Sequence, residues 1–198
     1  MKFFKNTLFT FLIGICFASY GQNKNLIKFY QNDKLLPISS NKEISLKKQA
    51  FSLTYFYKKY IAESKSLYSL QISFFKNKED MNQIKIGSTI SDISNFRLGS
   101  AMVSPEDGFY DTMALGINIH NNLYYTSETE SNVELLQNLR NDFEARWNIN
   151  EYYDSDTSVL SKMSKLKYKT LYMVVFRDEN LNKIIDEGEI ETFTLSFF

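Results

Sequence analysis

Across residues 50–59 apolar and polar positions alternate: Phe51, Leu53, Tyr55 and Tyr57 fall on one face, Ser52, Thr54 and Lys58 on the other. A period of two is that of a half-buried β-strand, because successive side chains leave a strand in opposite directions. Residues 67–75 repeat it, with Tyr68, Leu70, Ile72 and Phe74 inward and Ser69, Gln71 and Ser73 outward. The two runs are expected to pair across the polar connection 61–66. Residues 190–198 alternate again, Phe193, Leu195 and Phe197 against Thr192, Thr194 and Ser196. Residues 168–176 are apolar on both faces, which predicts a central strand. Shorter strands are predicted at 26–30 and 43–46, separated by the turn-rich stretch 32–41. A hairpin of 112–119 with 123–126 is predicted around His120, Asn121 and Asn122, since asparagine tolerates the positive φ of tight turns. Residues 104–108 read as a turn.

One segment breaks the period of two. In residues 132–147, Leu135, Leu136, Leu139, Phe143 and Trp147 recur at spacings of three and four, which predicts an amphipathic helix. Ser131 with Glu134 has the capping-box spacing, and Arg140 with Glu144 and Asp142 with Arg146 sit four apart. The fold class expected is therefore α+β and β-rich: an antiparallel sheet or sandwich with one main amphipathic helix, about 132–147, packed on it. No internal repeat or low-complexity run interrupts the chain.

The N-terminus changes the picture of where this domain works. Lys2 and Lys5 precede an apolar run from Leu8 to Phe17, and Ser19-Tyr20-Gly21 places small residues at minus three and minus one of a cleavage point before Gln22. That is the layout of a cleavable signal peptide at 1–21. The run is about half the roughly 20 residues a spanning helix needs, so no membrane span is expected after cleavage. Removal takes away Cys16, the one cysteine, and with it disulfide, thiol and thiolate-metal chemistry within the chain. Residues 22–198 are then read as a single β-rich globular domain, periplasmic or secreted. The alternating C-terminal strand ending in Phe198 also suits an outer-membrane barrel, a reading weakened by the helix expected at 132–147.

The formal charge of zero conceals an uneven distribution. Residues 22–85 hold 12 lysines and 5 acids, whereas residues 100–160 hold two arginines and 11 acids. Either the two surfaces face one another in the fold, or an acidic surface is offered to a basic partner. Nucleic acid is not expected as a partner, because arginine is scarce and the lysines are spread over several strands.

The chemistry in the sequence is concentrated near the C-terminus. Asp178, Asn180, Asn182, Asp186 and Glu189 occupy positions one, three, five, nine and twelve of a twelve-residue stretch, with Ile185 apolar at position eight. This stretch resembles the calcium loop of EF-hands. The resemblance implies oxygen ligands from those five side chains and from the backbone carbonyl of Ile184 at position seven. Two positions depart from the pattern: Lys183 replaces the glycine of the sharp turn, and Leu181 is large and apolar. The flanks read as strands, where an EF-hand has helices, so the resemblance covers the loop alone. The competing reading is a polar hairpin loop whose Asp and Asn side chains cap its own backbone.

Catalytic signals are sparse. His120 is the one histidine, which removes the multi-histidine zinc sites within a single molecule. Neither a nucleophile elbow nor a phosphate-binding Gly-rich loop is present. Glu106, Asp107, Asp154 and Asp156 would serve a carboxylate hydrolase if two of them converged. Tyr124, Tyr125, Tyr152 and Tyr153, with Asp154 and Asp156, form candidate anchors for a protein partner. Three functions remain open from the sequence. They are a non-catalytic exported binding protein, for example a periplasmic immunity or inhibitor protein occluding a basic toxin or hydrolase; a calcium-stabilised extracellular adhesion or matrix module; and a carboxylate-based hydrolase.

Overall fold

The computed structural model describes residues 27–62, 65–68, 70–89, 92–93, 115–118, 120–121, 132–139, 142–180 and 182–198. The export segment 1–21, the turn at 104–108, the strand expected at 123–126, Glu106, Asp107, Tyr124 and Tyr125 lie outside these residues.

Two curled sheets face one another. In the first, the hairpin β1 (Ile27–Gln31) and β2 (Lys34–Leu35) turns at Asn32 and Asp33, both with positive φ. β1 lies antiparallel to the long β4 (Phe51–Ala62), which pairs on its other side with β10 (Asp142–Ile149), itself paired with β9 (Val133–Leu139). β5 (Lys65–Tyr68) folds back on the far end of β4, with Ala62 opposite Lys65. The second sheet begins with β12 (Val159–Lys162) and β11 (Glu151–Asp154). It continues through β7 (Leu115–Ile117), β6 (Leu70–Phe75), β13 (Thr170–Arg177) and β14 (Ile190–Phe197) to β3 (Glu43–Leu46). It is mixed: β7 runs parallel to β6 and β11, and β3 parallel to β14. The short β8 (His120–Asn121) pairs with β6, and Asn118 takes a positive φ; the second strand of the hairpin expected around 120–122 lies outside the described residues.

The alternation along the strands fills the space between the sheets. Phe29, Leu53, Tyr55, Ala145, Trp147 and Ile149 from the first sheet meet Ile72, Phe74, Met173, Phe193, Leu195 and Phe197 from the second in one buried cluster. Three edge-to-face ring pairs bridge the sheets: Phe29 with Phe193, Phe51 with Phe197, and Phe74 with Trp147, at centroid separations of 5.5, 6.2 and 6.1 Å. Gln31 ties the bend before β4, its amide donating to the carbonyl of Lys47 and its oxygen accepting from the Lys47 N–H. No helix among the described residues is long and apolar enough to cross a membrane.

The helix expected at 132–147 is absent, and with it the α+β assignment. The segment is the β9–β10 hairpin, Leu139 opposite Asp142 and Trp147 opposite Val133, and no helix among the described residues reaches seven residues. The cause lies in the spacing. The helix-spaced stripe joins residues of two strands: a turn separates Leu139 from Phe143, and a register shift sets Leu135 opposite Ala145 but Leu139 opposite Asp142, so no single strand face carries the stripe. Leu136 lies at that shift and is 39% exposed. From position 143 the period is two: Ala145, Trp147 and Ile149 are buried while Glu144, Arg146 and Asn148 are half-exposed. The helical ion pairs are replaced by cross-strand ones, Arg146 with Glu134 at 3.8 Å and Glu144 with Lys28 at 3.9 Å. A far-UV circular dichroism spectrum is accordingly expected to carry a single β-type minimum; paired helical minima would contradict the hairpin.

At β6 and β13 the second sheet is buried on both faces. Behind β6 and β13, Phe75, Val174 and Phe176 pack with Ile93 and Ile185 into a separate apolar cluster. This covering accounts for β13 being apolar on both sides and for Gln71 and Ser73 being buried, although the alternation of β6 placed them outward.

Candidate functional site

β13 and β14 are joined by the loop whose spacing resembles a calcium loop. Its two end carboxylates lie at the base of the hairpin: Asp178 is 1% exposed and Glu189 5% exposed. Burial of a carboxylate is tolerated where N–H groups face it, and each of these has two. Asp178 accepts from the backbone N–H of Asn182 at 3.2 Å and of Lys183 at 3.0 Å. Glu189 accepts from Glu179 at 2.8 Å and Asp186 at 3.0 Å. Between them Asn180 and Asn182 cap the turn, accepting from the N–H of Asn182 at 3.0 Å and of Ile184 at 2.7 Å. Both carboxamides also donate to one oxygen of Asp186, each at 2.8 Å.

Five of the six candidate ligand residues are thus woven into one hydrogen-bonded loop, and the sixth, Ile184, adds a backbone bridge to Thr89. Lys183 adopts φ +64°, the left-handed conformation that the glycine of such loops supplies, at a cost of about 1 kcal/mol for a residue with a Cβ. Ile185 is fully buried in the cluster behind the sheet. The donor set of carboxylates, carboxamides and one carbonyl is that of a hard cation such as calcium. In the arrangement described, the carboxylate oxygens face N–H donors. Among the described residues no group of three or more His, Cys, Asp or Glu side chains is gathered at metal-holding distance. Ion binding at this loop requires the two carboxamides to turn oxygen inward, a half-turn of the terminal bond that exchanges nitrogen for oxygen.

The other candidate residues lie at the far edge of the second sheet. Tyr152, Tyr153 and Asp154 on β11 are buried, Tyr152 in the core between the sheets; none offers its side chain to a partner in this arrangement. Asp156, in the turn after β11, is exposed. What the sequence did not reveal is that both aspartates converge on one lysine. The Lys76 ammonium meets Asp154 at 3.0 Å and also pairs with Asp156. The Tyr168 hydroxyl donates to the second oxygen of Asp154, and the ammonium stands 5.6 Å from the centre of the Tyr168 ring. The uneven charge distribution was the one signal of this in the sequence, since Lys76 belongs to the basic segment and the aspartates to the acidic one. Their pairing, with that of Lys28 and Glu144, brings the two segments face to face inside one molecule.

The electrostatics follow from this geometry. Burial disfavours the ammonium of Lys76, but hydrogen bonds to Asp156 and Asp154 outweigh it and hold the group above the ordinary lysine range. Burial likewise raises Asp154, and is outweighed by hydrogen bonds from Tyr168 and Lys76, which hold its carboxyl below the ordinary aspartate range. Tyr168 is pushed up by burial and by its bond to Asp154. A general acid of a glycosidase needs a raised carboxyl pKa, and Asp154 is shifted the other way; Glu106 and Asp107, the other carboxylates of that reading, lie outside the described residues. His120 lies on β8 opposite Ser73. No family model, no curated protein and no solved structure matches the chain.

Proposed function

We propose that this protein is an exported, non-catalytic β-sandwich module that acts through its surface in the periplasm or outside the cell, with the β13–β14 loop as a calcium site that stabilises the C-terminal hairpin. The observation that supports this reading is the loop itself. The six positions of the calcium-loop spacing belong to one hydrogen-bonded loop, the residue at the glycine position takes a positive φ, and the apolar position eight is buried. Asp178, Asn180, Asn182, Asp186 and Glu189, with the carbonyl of Ile184, would hold the ion. Its role there would be to neutralise three carboxylates at the base of one hairpin and lock the loop. Affinity in the weak extracellular range, Kd of about 10⁻⁴ to 10⁻³ M, suits a loop carrying a lysine at position six.

The test is thermal unfolding in millimolar calcium and in chelator. At about 10 mM calcium, roughly 10–100 times that Kd, binding to the folded state adds about 1.4–2.7 kcal/mol, which for a domain of this size is a rise in Tm of about 3–10 °C. An Asp178→Ala, Glu189→Ala variant is expected to show no rise, and Lys183→Gly to show a larger one. Equal melting temperatures with and without calcium would sink the ion reading and leave an internally capped loop.

A second reading, capture of a protein partner such as a basic toxin or hydrolase, is favoured by one observation: Val159 and Leu160 are exposed on the edge strand β12 beside the turn that carries Asp156. Unpaired edge strands accept an added strand from another chain. Undiminished binding of an identified partner by a Leu160→Asp, Asp156→Lys variant would remove this surface from consideration.

A further inference from the structure

Besides Ile93, two described segments that belong to neither sheet pack on the cluster behind the second sheet. One is the loop 178–189. The other is a strap, residues 84–89, that follows the 3-10 helix Lys78–Gln83 and turns at Gly87, where φ is +84°. Lys85, Ile86 and Gly87 are exposed, so the strap has little burial of its own beyond Ile84, which packs against the cluster with Met81. Its backbone is fastened to the loop. The N–H of Gly87 donates to the carbonyl of Ile185 at 2.8 Å, the N–H of Ile185 donates to the carbonyl of Ser88 at 3.0 Å, and Thr89 pairs with Ile184. Ile185, the residue that makes two of these bonds, is also the one whose side chain plugs the cluster.

We infer that the loop and the strap form a single latch over the outer face of β6 and β13, opening and closing as one unit, with Asp178 and Glu189 as its positioning residues. Neither carboxylate touches the strap. They accept from the backbone of Lys183 and Asp186, which stand on either side of Ile184 and Ile185, and so set the stretch that the strap pairs with. Loss of that frame releases Ile185, and with it the bonds to Gly87 and Ser88 and the cover of Phe75, Val174 and Phe176. Segments held by few buried apolar contacts and a handful of backbone bonds open locally, below the free energy of global unfolding, and do so in contiguous cooperative units. The latch goes beyond the calcium reading, because its fastening bonds join backbone groups of Ile185, Gly87 and Ser88.

Native-state amide exchange of the whole protein, resolved by residue, tests this. In the unaltered protein Gly87 and Ile185 are expected to share one opening free energy, lower than that of the β13 amides. In the Asp178→Ala, Glu189→Ala variant both are expected to exchange roughly tenfold faster or more while β13 keeps its protection. Unlike opening energies for Gly87 and Ile185 in the unaltered protein, or exchange of both only together with β13, would overturn the latch even if the variant failed to fold. A variant in which Ile185 loses protection and Gly87 keeps it would overturn it as well. Repeating the exchange in calcium and in chelator separates the two proposals: a latch unaffected by calcium stands while the ion reading falls, and slowing of Ile185 alone leaves the ion and removes the latch.

Discussion

Replacing Trp147 by alanine is expected to cost about 3–5 kcal/mol, the usual loss when a large buried aromatic is truncated. Against a total stability of about 5–15 kcal/mol, the variant should unfold at a much lower urea concentration, with an unchanged denaturant slope if the native state is otherwise kept. The size of the effect follows from position. Trp147 is fully buried on β10, opposite Leu53 of β4, and its indole meets Phe74 of the facing sheet edge to face. Its removal opens a cavity between two sheets whose strands are fixed by ladders, so the surroundings have little room to collapse. Leu136→Ala is the matching control. Both residues lie on the apolar stripe of the helix that the spacing predicts, and on that helix both would cost several kcal/mol. In the hairpin Leu136 is exposed, and its loss should fall within about 0.5 kcal/mol. Equal losses at the two positions would contradict the β9–β10 register.

Lys76→Met is expected to destabilise the protein by about 3–5 kcal/mol, because it leaves Asp154 as a buried carboxylate without its cation. The side chains of Lys76 and Asp154 are 13% and 4% exposed, so solvent screens this pair far less than a surface one. The exposed Asp156 contributes little by comparison. A Lys76→Met, Asp154→Leu double variant should recover most of the loss, since replacing a buried pair by apolar residues is often neutral. The pH dependence has a definite sign. Asp154 titrates lower in the folded protein than in the unfolded chain. Its contribution is therefore complete above the ordinary aspartate pKa of about 3.9 and is lost as pH falls below that value. Lys76 titrates higher when folded, so its contribution is complete below the ordinary lysine pKa of about 10.4 and is lost as pH rises past it. In Lys76→Met the lone buried Asp154 favours the protonated form, and the gap between the two proteins should narrow on acidification from pH 7 towards pH 3. A gap that stays constant with pH would show that Lys76 acts by packing alone.

The strands were legible wherever one face is wet and the other dry. β3 has the bounds the alternation indicated, and β1, β4 and β14 lie within a few residues of theirs, because a side-chain period of two is compatible with little besides a strand; β13 was legible instead from its continuous apolar run. β6 was legible in period but not in partner: the run 67–75 is divided between β5, which pairs with β4, and β6, which crosses to the second sheet and pairs with β13. Nothing local to the run specifies that division, since both pieces carry the same alternation. The hairpin at 133–149 is hidden from a local reading because a turn and a register shift divide its helix-spaced residues between two strands, so that helix and hairpin both fit the run. The residues that decide between them, Ala145 and Ile149, are informative only once β4 lies beside β10.

The candidate site divides in the same way. The twelve-residue loop is contiguous, so its spacing, its polar composition and its need for a positive φ at Lys183 are written in the sequence, and the structure adds the hydrogen bonds that hold it. The Lys76–Asp154–Tyr168 cluster is assembled from residues far apart in the chain, carried by the end of β6, by β11 and by the approach to β13. No spacing rule brings them together; the order of strands in the second sheet does. The sequence by itself determined where the alternating strands extend, which of their faces are apolar and where oxygen-bearing side chains crowd, because these depend on neighbours within a few residues. The tertiary structure alone decided which strands share a sheet, that β13 is covered on both sides, and that Glu144, Asp154 and Asp156 pair with lysines of the basic segment. Those outcomes depend on loop closure and burial summed over the whole molecule, which no local pattern encodes.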